Sequence, residues 1–196
     1  MRVILYLHGF LSSKDAKKPK LTKDFLKKNF PNVKYDCINL PADPVKGYAC
    51  AEEWVQKYLL KGDKVSLIGS SLGGFYAMCL ASKYQLRAAL INPCVNPWKF
   101  LSQCYGEQEN PYTGEKVVIG PEHAQGTLDI FNSVKINEDF LGLFIQKGDE
   151  VLDYRDAMEL LPYPQVQYVE NKGNHSFTSY KICLPEIVKF LVSFAG

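Results

Sequence analysis

The sequence has no long hydrophobic run. No stretch of its 196 residues approaches the roughly 18 consecutive apolar residues that a membrane-spanning helix needs. The apolar run near the N-terminus, Val3–Leu7, is five residues long, which is shorter than the core of a signal peptide, and no small-residue cleavage site follows it. We therefore predict a cytoplasmic protein without a membrane span.

Paired cysteines and a large excess of one charge are also missing. The six cysteines form no Cys-x-x-Cys pair and no metal-ligand spacing, so we expect small buried side chains and no metal site. Lys and Arg number 23 against 21 Asp and Glu, which argues against nucleic acid as a partner. The balance is uneven, however, because residues 1–35 carry nine basic and two acidic side chains.

What the sequence does contain is the pattern of an α/β protein. Its length and its 46% hydrophobic content fit a single domain, residues 1–196, with one well-buried core. Short apolar runs alternate with helical patterns, which predicts a mainly parallel sheet of about six strands with helices on both faces. The predicted strands are Val3–Leu7, Val33–Leu40, Lys64–Gly69, Arg87–Asn92, Leu141–Gln146 and Gln165–Glu170. The predicted helices cover about residues 19–30, 49–60, 72–84, 154–161 and 185–195, with Pro185 in the first turn of the last helix and Phe194 on its apolar face.

A long connection follows the fourth predicted strand. About residues 94–138 form an insertion, and a connection of this length predicts a lid or a binding element. Its aromatic side chains would line an apolar pocket. They are Trp98, Phe100, Tyr105, Tyr112 and Phe131. The alternative is an excursion that packs against an edge of the sheet.

The sharpest motif is G-x-S-x-G at residues 69–73, centred on Ser71. A buried strand precedes it and a helical pattern follows it, which is the context of a nucleophile elbow. In that turn the serine is strained and the flanking positions have no room for side chains, which explains the glycines. A phosphate-binding loop would need Lys-Ser/Thr where Phe75 and Tyr76 stand, so that interpretation is excluded.

A nucleophilic serine needs a base that is oriented by a carboxylate. His175 lies between the last strand and the last helix, where a Ser–Asp–His chain order requires the base. Asp149 follows the preceding strand and is the predicted acid, with Asp153 as the reserve. Asp153 is more typical of a helix cap. His123 lies in the insertion and is predicted to be structural.

The loop after the first strand is predicted to complete the site. The backbone amides of Phe10 and Leu72 would form an oxyanion hole, and Gly9 would let the backbone approach the substrate closely. We expect His8 to hold this loop by hydrogen bonds rather than to act as a second base.

These residues, together with several other runs distributed over the whole chain, resemble those of a known family. Besides the elbow, the runs are residues 7–13, Asn92-Pro93, and residues 109–114, 148–155 and 173–177. The chain resembles an α/β-hydrolase, and within that fold the small bacterial YqiA/YcfP-like esterases. The resemblance implies hydrolysis of acyl esters, including acyl-CoA thioesters. It also implies Ser71, Asp149 and His175 at the triad positions, and no cofactor.

The predicted function is therefore that of a serine esterase acting on a small-molecule acyl ester. Two alternatives stay open. One is another reaction on the same scaffold, such as C–C bond or peptide hydrolysis, and the other is a non-catalytic hydrolase-fold binding protein. Within the basic segment, Lys14, Lys17 and Lys18 follow the oxyanion loop. They would either attract an anionic ester such as an acyl-CoA or form a solvated helix face.

Overall fold

A parallel sheet of six strands forms the centre of the computed structural model, which describes residues 1–193. The eight strands are β1 (Arg2–Leu7), β2 (Val33–Asp36), β3 (Lys64–Ser71), β4 (Arg87–Pro93), β5 (Gly106–Glu109), β6 (Lys116–Ile119), β7 (Leu141–Gln146) and β8 (Val166–Glu170). The sheet order is β2-β1-β3-β4-β7-β8, while β5 and β6 form a separate antiparallel hairpin. The helices are α1 (Lys17–Asn29), α2 (Pro44–Leu59), α3 (Leu72–Tyr84), α4 (Pro97–Leu101), α5 (Pro121–Asn132), α6 (Tyr154–Leu160) and α7 (Tyr180–Val192), and a 3₁₀ helix covers Glu138–Phe140.

Helices cover both faces of the sheet, as the uninterrupted apolar strands predict. Successive side chains of a strand point to opposite faces, so the residues of β1 divide between two cores. Val3, Leu5 and Leu7 pack with residues of α2, α3 and α6. Ile4 and Tyr6 pack with residues of α1 and α7. The predicted α/β architecture, with its six parallel strands, is confirmed.

Three predicted boundaries are wrong by four residues or more, and one of them is the start of α2, which lies at Pro44 instead of about residue 49. Strand β2 ends at Asp36 instead of Leu40, because the chain turns away from β1 and the Leu40 amide donates to the His8 ring instead of the sheet. Helix α7 begins at Tyr180, so Pro185 lies inside the helix rather than in its first turn. Proline is tolerated there because the carbonyl it leaves without a donor belongs to Lys181, an exposed residue at the helix start. Phe194 lies outside the described residues.

The connection between β4 and β7 is structured. It contains α4, the β5–β6 hairpin, α5 and the 3₁₀ helix. The rings of Trp98 and Phe131 lie 5.1 Å apart and pack against the core on the α2–α3 face of the sheet. These aromatic side chains therefore extend the core.

Three of the six cysteines are buried, and Cys37, Cys50 and Cys104 are partly exposed. Within residues 1–193, no cluster of His, Cys, Asp and Glu side chains has the geometry of a metal site. None of the described helices combines the length and the apolar character that crossing a membrane requires.

Candidate active site

Ser71 occupies a sharp turn between the end of β3 and the start of α3. Its backbone has φ 54° and ψ −123°, a conformation that side-chain-bearing residues rarely adopt. The register between β3 and β4 also shifts at Ser70 and Ser71, where the strand leaves the sheet. The turn places the Ser71 side chain at the N-terminus of α3, above the carboxyl edge of the sheet.

The turn is possible because glycines let α3 and the β1 loop approach it closely. A Cβ on Gly73 would collide with the backbone carbonyl of Leu7, so the first turn of α3 could not pack against the end of β1. On the other side, a Cβ on Gly9 would lie 3.0 Å from the Ser71 Cβ. The backbone of the β1 loop therefore lies against Ser71.

Ser71, His175 and Asp149 form one hydrogen-bonded chain. The His175 Nε2 lies 3.1 Å from the Ser71 Oγ, and its Nδ1 lies 2.8 Å from the Asp149 Oδ2. The other carboxylate oxygen of Asp149 accepts the amides of Val151 and Leu152, both at 2.9 Å. With its proton on Nδ1, the imidazole can accept the serine proton at Nε2, while the buried carboxylate stabilises the resulting cation.

The reserve carboxylate lies elsewhere. Asp153 is the N-cap of α6, accepts the amide of Arg155 and pairs with its guanidinium at 2.7 Å. It makes no contact with the His175 ring. His123 caps α5, where its Nδ1 accepts the Gly120 amide at 3.1 Å, so its predicted structural role is confirmed.

The amides predicted for the oxyanion hole belong to the two backbone segments beside Ser71. Leu72 is the first residue of α3, and Phe10 follows Gly9 in the β1 loop. Among the described residues, neither amide has a hydrogen-bond acceptor. His8 holds the loop: its Nε2 accepts the Leu40 amide at 2.9 Å, and its Nδ1 donates to the Gly9 carbonyl at 3.0 Å. Burial lowers the pKa of His8, which keeps the ring neutral in this role.

The loop that carries His175 is held by polar residues that the sequence analysis did not identify. The buried Gln146, at the end of β7, accepts the amides of Asn174 and Thr178 at 3.1 and 3.0 Å. Its Nε2 donates to the Ser179 Oγ at 2.7 Å and to the Glu170 carboxylate.

Asn92, at the end of β4, belongs to the same network. Its Nδ2 donates to the Asn174 carbonyl at 3.0 Å, and its Oδ1 accepts the Gln146 amide at 2.8 Å. Both amides are buried at the carboxyl ends of apolar strands. That position, where α/β proteins bind ligands, is the signal that could have identified them.

The turn between β5 and β6 is joined to the β1 loop. The side chain of Asn110, which is 1% exposed, donates to the Ser12 carbonyl at 2.9 Å and accepts the Tyr112 amide at 2.9 Å. This turn belongs to the motif at residues 109–114, in which the sequence analysis gave a role only to Tyr112, as a candidate pocket residue. It brings Tyr112 to the site.

A cavity of about 510 Å³ opens beside Ser71 and His175. The start of α1 and the start of α7 form its walls, and Tyr112 is the single residue of the described insertion that contributes to the lining. Of the aromatic side chains that were expected to line a pocket, Tyr112 lines this cavity, whereas Trp98 and Phe131 pack against the core. Lys17 and Lys18 do line the cavity, whereas Lys14 does not.

Comparison with known proteins places the chain in a family. A family model described as "Uncharacterised protein family (UPF0227)" matches residues 3–192. The chain belongs to this family. A UPF0227 protein of Yersinia pseudotuberculosis serotype O:1b is 28% identical over 200 residues, covering 96% of this chain and 98% of that protein.

Solved structures similar to this UPF0227 chain share its fold. Est1E from Butyrivibrio proteoclasticus is 13% identical with a TM-score of 0.73, covering 97% of this chain and 87% of Est1E. Alpha/beta hydrolase domain-containing protein 10 from mouse is 13% identical with a TM-score of 0.64, covering 95% of this chain and 88% of the mouse chain. The resemblance to the α/β-hydrolases is confirmed at the level of the fold.

Proposed function

We propose that this UPF0227 protein is a serine esterase that hydrolyses carboxylic acyl esters, with acyl-CoA thioesters as a further substrate class to be tested. The hydrogen-bonded chain from Ser71 through His175 to Asp149 is the observation that carries the proposal. It lies beside a cavity large enough for a small ester. The strained Ser71 backbone supports it further, because such strain is concentrated at functional positions.

In the first half of the reaction, the Ser71 Oγ attacks the ester carbonyl while the His175 Nε2 takes its proton. The amides of Phe10 and Leu72 donate to the developing oxyanion, and Asp149 stabilises the imidazolium. The carbon–oxygen or carbon–sulfur bond then breaks, and His175 delivers the proton to the departing alcohol or thiol. The acyl group remains on Ser71.

In the second half, His175 takes a proton from water and the resulting hydroxide attacks the acyl carbonyl. The bond to Ser71 breaks, the proton returns to the Ser71 oxygen, and the carboxylic acid is released. Every proton therefore passes through one imidazole, and no group beyond the chain and water is needed.

Replacing Ser71 with alanine tests the proposal directly. We expect Ser71→Ala to lower kcat for 4-nitrophenyl pentanoate by a factor of about 10⁶, provided that the assay can follow so slow a rate, because the nucleophile is lost. Labelling by a fluorophosphonate probe should disappear in the same variant. Near-normal hydrolysis by Ser71→Ala would contradict the proposal. If the wild-type protein hydrolysed peptides or C–C bonds but no esters, the same catalytic residues would be assigned to that other reaction.

The two aspartates provide the matched control for that experiment. Asp149→Asn should reduce kcat by about 10⁴, because an amide cannot hold the imidazole in the required tautomer. Asp153→Asn makes the same chemical change at an exposed helix cap and should leave kcat within about twofold. The reverse ranking would contradict the assignment of the acid.

A further inference from the structure

The turn at the tip of the β5–β6 hairpin is fixed more firmly than the hairpin's strands. Apart from Ile119, every residue of the two strands is exposed or partly exposed. In the turn, by contrast, Asn110 is 1% exposed and hydrogen-bonds through both ends of its side chain. Its Nδ2 donates to the Ser12 carbonyl at 2.9 Å, and its Oδ1 accepts the amides of Tyr112 and Thr113 at 2.9 and 3.3 Å. A buried carboxamide bonded in this way fixes the geometry of the turn.

The same turn is attached to the rest of the protein at a second point. The Glu115 carboxylate accepts the amide of Ala42, which lies just before α2, at 3.0 Å. Within the turn, the Asn110 amide donates to the Glu115 carbonyl and the Gly114 amide donates to the Asn110 carbonyl, both at 2.8 Å. Gly114 makes this closure possible because its φ is 72°, a value that favours glycine. The backbone of Tyr112 is therefore held in place before any ligand binds.

The side chain of Tyr112 lies largely outside the protein interior. It is 59% exposed, and it lines the cavity beside Ser71. Phe10, Pro19 and Leu21 contribute further apolar surface to the same cavity. An exposed aromatic ring beside a cavity offers apolar surface that a ligand can remove from water. Because the backbone is already ordered and tyrosine has few rotatable bonds, little entropy is lost when the ring contacts a ligand.

We propose that Tyr112 is a specificity-determining residue, whose ring covers an apolar chain of the ester that Ser71 attacks. Asn110 is its positioning residue, because it holds the turn from which the ring reaches the cavity. The inference rests on the proposed esterase function and adds a substrate class to it. That class is esters with a chain of several carbons, long enough to extend from the scissile carbonyl to the exposed ring. The chain belongs to the acyl part or to the alcohol part, and the test distinguishes the two.

Two pairs of esters test the contact. 4-Nitrophenyl hexanoate and 4-nitrophenyl acetate differ in the length of the acyl chain, and hexyl acetate and methyl acetate differ in the length of the alcohol chain. In the pair whose chain reaches the ring, we expect Tyr112→Ala to lower the ratio of kcat/KM for the long ester to that for the short ester about tenfold. The loss should appear in KM rather than kcat, because the ring contacts a part of the ester that does not react.

Tyr105→Ala is the matched control for Tyr112→Ala. Tyr105 is an exposed tyrosine of the same insertion that does not line the cavity, so its loss should leave both ratios unchanged. Tyr112 is itself an exposed turn residue, and we expect Tyr112→Ala to fold normally. A rise in the ratio would show that the ring excludes long chains and would overturn the proposal.

A double-mutant cycle tests the role of Asn110. Asn110→Ala should lower the same ratio about fivefold, because the turn loses its attachment to the β1 loop. In Asn110→Ala combined with Tyr112→Ala, the ratio should equal that of Tyr112→Ala alone. Any disturbance of the oxyanion hole through Ser12 slows both esters of a pair and cancels in the ratio. Additive losses would overturn the assignment of Asn110 as the positioning residue.

A binding measurement separates failure of this contact from failure of the esterase. Octanamide and N-octylacetamide, which carry the chain on the acyl side and the alcohol side, are titrated by calorimetry into Ser71→Ala and into Ser71→Ala combined with Tyr112→Ala. About tenfold weaker binding of one amide by the second protein would support the contact even if the wild-type protein hydrolysed no ester. In an active esterase, unchanged ratios in Tyr112→Ala would overturn the proposal. In a protein without esterase activity, equal affinities of the two proteins for both amides would overturn it.

Discussion

The two walls of the cavity beside Ser71 differ in whether their polar groups are hydrogen-bonded within the protein. On the His175 side, the carboxamide oxygen of Gln146 accepts hydrogen bonds and its nitrogen donates them, and Asn92 connects the same network to β4. On the α1 side, the backbone amides of Lys17 and Lys18 have no acceptor among the described residues. A satisfied buried network fixes geometry, whereas unsatisfied donors are available to a ligand. The comparison therefore separates the wall that positions the base from the wall whose lysines and backbone amides face the cavity without a fixed partner network.

Among the changes that test this comparison, the largest effect is expected from disrupting the hydrogen-bonded network on the His175 side. Gln146→Leu leaves the amides of Asn174 and Thr178 without their acceptor and removes a donor from the Glu170 carboxylate. We expect the free energy of unfolding, measured in urea, to fall by about 3 kcal/mol. We also expect kcat for 4-nitrophenyl pentanoate to fall about 100-fold, because His175 is displaced.

Gln103→Leu is the control for that variant, since Gln103 is exposed and its side chain makes no contact with the site. It should change the free energy of unfolding by less than about 0.5 kcal/mol. Full activity of a correctly folded Gln146→Leu would show that the network does not position His175.

The second prediction concerns the charge of the unsatisfied wall. Burial lowers the pKa of Lys18 to about 8, and the Asp149 carboxylate opposes part of that shift. Lys18 is thus charged below about pH 8 and loses its proton above it. If the lysines of this wall attract an anionic ester, the ratio of kcat/KM for mono-4-nitrophenyl glutarate to that for 4-nitrophenyl pentanoate should decline about tenfold between pH 7 and pH 10. The two esters have acyl chains of equal length and differ in a terminal carboxylate.

The preference is measured as a ratio of kcat/KM values, so effects of pH on the catalytic step that both esters share cancel. Lys17 and Lys181 are the other charged groups of the lining, and burial raises the pKa values of Tyr6 and Tyr180, which keeps them neutral over this range. Lys18→Arg retains its charge at pH 10 and should make the ratio independent of pH. An equal decline in Lys18→Arg would exclude Lys18 as the titrating group.

Much of the fold and the hydrogen-bonded chain could be predicted from the sequence, because their signals are local. Ser71 lies in a short motif between a strand and a helix, and α3 occupies the predicted residues 72–84. Asp149 and His175 follow strands, so chain order together with distance from the strand end favours them, with Asp153 as the reserve. The start of α2 at Pro44 also had a local signal, Asp43-Pro44, which the prediction of residues 49–60 missed.

The remaining features depend on tertiary contacts that no local pattern records. Gln146 and Asn92 become neighbours only because β4 and β7 are adjacent in the sheet. Trp98 and Phe131 could line a pocket or fill a core, and only the docking of α4 on α5 decides between these.

The smallest effect, and the sharpest comparison, comes from capping α1. Ala16→Ser and Ala16→Asp each provide an acceptor for the unused amides and should raise the free energy of unfolding by about 1 kcal/mol. Both should lower the preference for the anionic ester, Asp more than Ser, because its carboxylate also repels the ligand. Urea unfolding and the ester ratio are measured on the same preparations. Stabilisation with an unchanged ratio would mean that these amides serve no ligand. Stabilisation with a reduced ratio would mean that the uncapped amides of α1 contribute to binding of the anionic ester.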